Sequence, residues 1–485
     1  MVNKVLAILN RSNPAQQLYY CFAAITLLAI FIGIAGEWYF LAGIPAFLIL
    51  IYISIVDFRK VFYLLLACIP LSMEYYLPNG FGTDLPTEPL MVGLMLIALL
   101  YGANRLNSLN VQFLRHPITL LLLLHLSWIY TTTITSELLF VSVKFSLAKT
   151  WYIVVFYFLA GHLIKTEKDI RTVFWLILIP LVLTVAVILV RHSSYGFAFQ
   201  SVNAVLFPFQ RNHVNYAATL TLFFPWMWLA RSWYRPYSLK WWVIVGSTAI
   251  ILVAIYLTFT RAAYVALLLS AIAFLVFHFR LIKLVLGGAL LAAVLGIGMM
   301  INNNTYLEYA PNYDRTITHE SFDNLIEATY KMEDISTMER VYRWVAGFNM
   351  SSDNPIMGFG PGNFVNFYKS YTVTSFQTYV SDNVDQSGIH SYFLMTLVEQ
   401  GIVGLLLFFA LSFYVLIRGE RIYHQTKNPD RKRLVMIMLL CTIVIDAFLL
   451  INDMIETDKV GSFFFMCMAI LVNLDLANQK VGPQT

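Results

Sequence analysis

Charge is what this chain lacks. Only 12% of its 485 residues are Asp, Glu, Lys or Arg, against about 25% in an ordinary soluble domain. Cysteine is scarce too: Cys21, Cys68, Cys441 and Cys467 all fall in apolar runs, which argues against a disulfide framework or a cysteine metal centre. There is no internal repeat and no low-complexity tract, and no basic cluster that would suit nucleic acid: the net charge of +5 is spread over many short loops. What remains is apolar. Hydrophobic residues make up 59% of the chain and mean hydropathy is +0.70. Continuous runs of about 20 apolar residues recur along the whole length, as membrane-spanning helices require. Because the runs are continuous rather than alternating, helices are expected and a barrel is not. The first run, near Tyr19 to Ala35, lacks a small-residue cleavage site and reads as a retained span.

The pattern predicts an all-α, polytopic transmembrane helix bundle of 12–14 spans. Fourteen are placed, centred near residues 27, 47, 68, 95, 125, 154, 181, 223, 250, 270, 291, 403, 443 and 469. Of the 32 Lys and Arg residues, 21 then fall in loops on the side of the N-terminus and 9 on the other side. This asymmetry predicts that both termini are cytoplasmic. Lys144 and Lys149 lie inside the sixth span and need an acidic partner or an escape to the interface. Asp446, inside the thirteenth, is a proton-relay candidate.

One large extramembrane segment, 301–388, falls on the outer side and holds 11 acidic and 5 basic residues. It divides the chain into N-terminal spans (1–200), a central group of spans (201–300), the loop (301–388) and C-terminal spans (389–485). A connection of that length carries structure or function. Ser336 to Glu339 reads S-T-M-E, a capping-box start for a helix. Val341, Trp344, Val345 and Phe348 recur at helical spacing, so this helix is expected to lie against the membrane face. Asn354-Pro355 ends it, and Gly358, Gly360 and Gly362 form a turn-rich return. That return reads as a plain turn or an anion-binding nest, not as a dinucleotide fingerprint, because no strand precedes it.

Several ionisable groups share the outer membrane depth: Arg211 and His213 before the eighth span, Arg261 at the end of the ninth, Arg340 and Arg343 on the loop helix, and His390 at the opening of the twelfth. Charge near hydrocarbon is costly unless paired or hydrated, which marks such groups as functional candidates. The structural alternatives are snorkelling anchors for the arginines and hydrogen-bonded interface residues for the two histidines. Glu399 lies nine residues after His390, on another helix face, and is expected to orient neighbouring helices.

The segments T-R-A-A (260–263), R-x-x-x-W (340–344) followed by D-N-P-I-M-G-F-G-P-G-N-F, and H-S-Y-F-L-M-T-L-V-E-Q-G-I-V-G (390–404) resemble the bacterial O-antigen ligase and polymerase superfamily over roughly residues 200–415. The resemblance implies a membrane glycosyltransferase of the GT-C type at the periplasmic face of the inner membrane. It would use a glycan donor carried on undecaprenyl diphosphate and need no metal or other cofactor. The acceptor would be lipid A-core, another repeat unit or a protein hydroxyl. The family's outer-face arginines and histidine fall on Arg261, Arg340 and His390, with Arg211 a further diphosphate-binding carry-over and Arg343, Glu399 and His213 as supporting residues. A transporter of a polyanionic lipid is the competing reading. The single large loop and the absence of repeated halves weigh against it.

Overall fold

The computed structural model describes residues 13–76, 82–104, 110–302, 305, 307, 334–378, 381–383 and 386–480. The chain divides into two compact units, residues 1–65 and 66–485. In the first, α1 (Pro14–Ala35) is opened by a capping box in which the Asn13 side chain accepts from the N3 backbone and Gln16 reaches back to Asn13.

Helix α2 (Ile44–Cys68) corrects the expected topology. The predicted spans near 47 and 68 are one helical rod kinked at Asp57, where φ is −159° and ψ 87°. The charges at 57–60 read as a loop in the sequence. The Asp57 carboxylate instead accepts from the Arg59 N–H at 3.2 Å and recaps the chain across the kink, so no loop is needed.

A two-stranded antiparallel hairpin follows, β1 (Met73–Tyr76) and β2 (Gly82–Leu85), with Met73 opposite Leu85 and Tyr76 opposite Gly82. Eleven long helices then alternate in direction: α3 (Thr87–Asn104), α4 (Pro117–Ile134), α5 (Leu139–Ile153, continued to Leu163), α6 (Glu167–Ser193), α7 (His213–Ala230), α8 (Leu239–Tyr256), α9 (Arg261–His278), α10 (Ile282–Ile301), α12 (Tyr392–Gln425), α13 (Pro429–Leu449) and α14 (Asp458–Lys480). Between α10 and α12 lies the amphipathic α11 (Ile335–Asp353). Among the described residues eleven helices are long and apolar enough to cross a membrane. Helices α7 and α13 fall outside that set by composition: α7 carries His213, Asn215, Thr219, Thr221 and Pro225, and α13 opens on Asp430, Arg431, Lys432 and Arg433. They run through the bundle interior, with most of their residues buried, and need not present apolar surface to lipid. The protein is therefore a multi-pass, all-α membrane bundle.

Hydrogen bonds define the two ends of the larger unit. At one end Asp458, opening α14, accepts from Ser72 and, at 2.9 Å, from Thr87; Glu137 after α4 donates its N–H to the Phe359 carbonyl at 3.2 Å; and Arg261 meets Asp334. At the other end His116 and Arg418 converge on the buried Asp475 at 3.0 and 2.7 Å, while Arg431 meets Glu167 at 3.1 Å. Lys149, expected to need a partner, donates to Glu456 at 2.5 Å and to the Tyr392 hydroxyl at 3.2 Å. Lys144 is exposed.

Candidate active site

The site grows from two helix starts. Arg261 is the first residue of α9, and its Nη2 donates to Asp334 Oδ2 at 2.7 Å. Asp334 is fully buried and caps α11: the same carboxylate accepts from the Thr337 N–H at 3.1 Å and the Thr337 hydroxyl at 2.6 Å. The helix thus starts two residues before the S-T-M-E motif suggested, with Asp334 rather than Ser336 as cap. A carboxylate at a helix N-terminus gains from both the free N–H groups and the helix dipole.

Helix α11 presents its buried side through Met338, Tyr342, Ala346 and Met350. Glu339 and Arg343 are buried on the same side. The predicted apolar stripe of Val341, Trp344, Val345 and Phe348 is not this protein-facing side but the opposite one, and Phe348 is exposed. Helix α11 therefore buries a mixed face in the protein and turns a largely apolar one outward.

The buried pair Glu339–Arg343 fastens the segment leading to α12. Thr378 and Ser381 donate to Glu339, and Arg343 donates to the Gly388 carbonyl at 3.1 Å and to Asn383 Oδ1 at 3.3 Å. Trp344 Nε1 donates to the Ile389 carbonyl at 3.1 Å. These contacts deliver His390 in the left-handed region, φ +56°, one residue before Ser391 caps α12. The sequence placed His390 in the first helical turn; it stands just outside, which frees its ring from the helix. A non-glycine residue there is uncommon and is held only by its surroundings.

His390 Nδ1 is buried with no hydrogen-bond partner among the described residues. Burial first, then the fields of Arg340 and Arg343, lower the imidazole pKa to about 3, with Asn452 opposing. Arg340 is itself anomalous. It donates to Ser336, its Nε is buried without a partner, and among the described residues no carboxylate forms an ion pair with it. Desolvation lowers its pKa below the ordinary arginine value; Asp334 opposes this, while Arg261 and Arg343 add to it.

Arg261, Arg340, Arg343 and His390 thus share one electrostatic cluster. His213, whose ring and N–H both face Asn203 Oδ1, lies within reach of the Arg340 field. Arg211 stands apart: it is mostly exposed and its Nε is 3.8 Å from Glu74. Glu399 holds the glycine return. Its carboxylate accepts from the Gly362 and Phe364 N–H groups at 2.8 and 3.1 Å, and its carbonyl accepts from Gly360 at 2.9 Å. The nest geometry is present, with φ of +68°, +97° and +81° at the three glycines, but the chain's own carboxylate occupies it. No local pattern points to Asp334, whose role depends on Arg261, 73 positions away. Nor did it flag Asn452 and Asp453, which the α13–α14 connection brings beside His390 and Gly388.

Residues 246–409 match the family model described as O-antigen ligase. Over that third of its length the chain is similar to the O-antigen ligase family. The matched segment runs from α8 into α12 and so contains Arg261, Arg340, Arg343, His390 and Glu399. No curated protein matches the chain.

Proposed function

We propose that this O-antigen ligase-type protein transfers a glycan from undecaprenyl diphosphate to an acceptor hydroxyl of lipid A-core, at the periplasmic face of the inner membrane. The observation that carries this reading is the His390 imidazole, whose Nδ1 has no hydrogen-bond partner among the described residues, set in the field of Arg340, which forms no ion pair among them. Such an arrangement suits a dianionic leaving group and a base acting side by side.

The reaction would be a single displacement. His390 accepts the proton of the acceptor hydroxyl as the hydroxyl oxygen bonds to the anomeric carbon. The bond from that carbon to the phosphate oxygen breaks, and the electron pair leaves with the diphosphate, so the anomeric centre inverts. Arg261 and Arg340 hold the diphosphate oxygens; guanidinium forks bind such oxygens bidentately and stay charged. Burial and, after it, the field of Arg340 and Arg343 keep His390 a weak base. A bound diphosphate offsets that field and raises its basicity, so the base strengthens when the donor is in place. Base catalysis of this kind contributes roughly 10²–10⁴ in rate. Arg343, tied to Gly388, Asn383 and Glu339, positions the His390 segment.

The test is reconstitution of the full-length protein in detergent with undecaprenyl-diphosphate-linked glycan and lipid A-core. A covalent glycan–acceptor product is expected from wild type and none from His390→Ala. Product at the wild-type rate from His390→Ala removes the base. No product from wild type, with the donor merely bound, favours a transporter. Lengthened chains that remain on the carrier favour a polymerase.

A further inference from the structure

The larger unit has a concavity of about 430 Å³, within the ~300–1,000 Å³ range of small-ligand sites. It is formed by β1 and β2, the 203–215 segment and the start of α14. Its charged lining is Glu74, Asp84, Glu456 and Asp458 against Arg211 and Lys459. Burial, then the charge of Asp458, raise the Asp84 carboxyl to about 7, with Glu88 and Glu74 adding to the effect. A site that resists ionising its own carboxyl disfavours one more anion.

Gln210 lines the same cavity. It is 6% exposed, and its side-chain amide has no hydrogen-bond partner among the described residues. The residue is buried but its amide lines the open cavity, where it is available to donate and accept hydrogen bonds. Asn203 and Asn215 add further amides, and Phe207, Phe209 and Tyr76 add ring surface. Carboxylates and amides at the wall with aromatic rings beside them match the hydroxyl edges and C–H faces of a sugar. One short stretch of chain, 453–456, touches both the cavity and the His390 segment. The Asp453 side chain abuts Gly388, two residues before His390, and Glu456 of the cavity wall follows Asp453 by three residues.

We propose that this cavity binds the uncharged sugar of the acceptor, with Gln210 as a specificity-determining residue, and excludes phosphorylated or carboxylated sugars. The cationic cluster and the acidic cavity then sort the two substrates by charge, diphosphate to one and uncharged acceptor end to the other. The assignment of the bound sugar as acceptor rests on the transfer reading; the binding itself does not.

Saturation-transfer NMR on the full-length protein in detergent, without donor, tests it. The probes are maltotriose, mannotriose, triacetylchitotriose and glucose 1-phosphate. At least one uncharged trisaccharide is expected to bind, with affinity reduced roughly tenfold in Gln210→Ala and in Asn215→Ala, one hydrogen bond's worth; glucose 1-phosphate is expected not to compete. Folding of each variant is checked by its elution volume and thermal midpoint, and Asn215→Ala carries the test should Gln210→Ala not fold. Failure of all three trisaccharides, binding unchanged by both substitutions, or competition by glucose 1-phosphate overturns the proposal. A protein that binds the trisaccharide yet forms no product refutes only the transfer chemistry.

Discussion

Arg261 and Asp334 form a 2.7 Å ion pair between the first residue of α9 and the cap of α11. Asp334 is fully buried and Arg261 about one-quarter exposed. The pair fixes where the loop helix begins relative to the bundle and therefore where Arg340, six residues along, sits. Arg261 is in this way both a diphosphate-binding candidate and a part of the scaffold, and the two roles respond differently to substitution.

Asp334→Ala removes the cap and leaves Arg261 without this partner. A lost cap costs about 1 kcal/mol, and breaking a buried pair up to ~3–5 kcal/mol. Because Arg261 reaches solvent, a total of about 2–4 kcal/mol is expected. Asp334→Asn keeps a capping oxygen and should lose less. Thermal midpoints of the purified variants order the two; equal losses would show that the charge contributes nothing.

Arg340 is held at a cost to the fold, since its guanidinium is desolvated and among the described residues no carboxylate forms an ion pair with it. Arg340→Met is expected to raise the thermal midpoint while reducing transfer on the order of 10²–10³-fold, by analogy with other preorganised charge stabilisers. Arg340→Lys should also be impaired, because a point charge does not reproduce the fork. Inorganic pyrophosphate should raise the wild-type midpoint and leave that of Arg340→Met unchanged. A destabilised Arg340→Met would assign the side chain to packing instead.

The pH dependence of stability carries a signature of His390. Its folded pKa of about 3 lies below the ordinary imidazole value of ~6.5. Between those values the unfolded chain binds a proton that the folded chain refuses. The penalty is absent above pH 6.5 and grows as pH falls towards 3. From pH 7.5 to 5, wild type is expected to lose about 2 kcal/mol more than His390→Gln. Parallel midpoint curves for the two proteins would show that the imidazole is not held neutral.

The glycine return is set against a break in α12. Gly401 has φ +69°, and a Cβ there would strike the Ile356 carbonyl; a Cβ on Gly358 would strike the backbone of Glu399 and Gln400. Gly401→Ala and Gly358→Ala are each expected to cost about 2–4 kcal/mol, from left-handed strain and backbone collision together. Glu399→Ala strands two buried N–H groups and should cost a similar amount. Yields of folded protein from membranes, compared by size-exclusion chromatography, test the set. Wild-type yields would show that the return is not fixed this way.

Much of the fold was legible in the sequence, because lipid imposes a length and a polarity on each span. The expected segments near 27, 95, 125, 154, 181, 223, 250, 270, 291, 403, 443 and 469 all correspond to helices. The spans near 47 and 68 were read as two because Asp57, Arg59 and Lys60 look like a loop; a side-chain cap at a kink leaves no distinct mark in hydropathy. On α11 the stripe of Val341, Trp344, Val345 and Phe348 is legible in the sequence, but the buried side with Glu339 and Arg343 is not, since it mixes polar and apolar residues. The structure places Arg261, Arg340, Arg343 and His390 in one cluster and leaves Arg211 at the neighbouring cavity.

By itself the sequence determined that this chain enters a membrane, how most of it crosses, and which cations and imidazole stand near the surface. Those properties follow from local hydropathy and the spacing of single residues. The tertiary structure alone decided that Asp334 rather than Ser336 starts α11, that Glu399 fills the glycine nest, and that Gln210 faces an acidic cavity unpartnered. The Asp334–Arg261 pair spans 73 positions, the Glu399 bonds to the glycine return 35 and 37, and the cavity at Gln210 is an enclosure built by several segments. Pairing and burial at such range depend on how the helices pack, which no local pattern encodes.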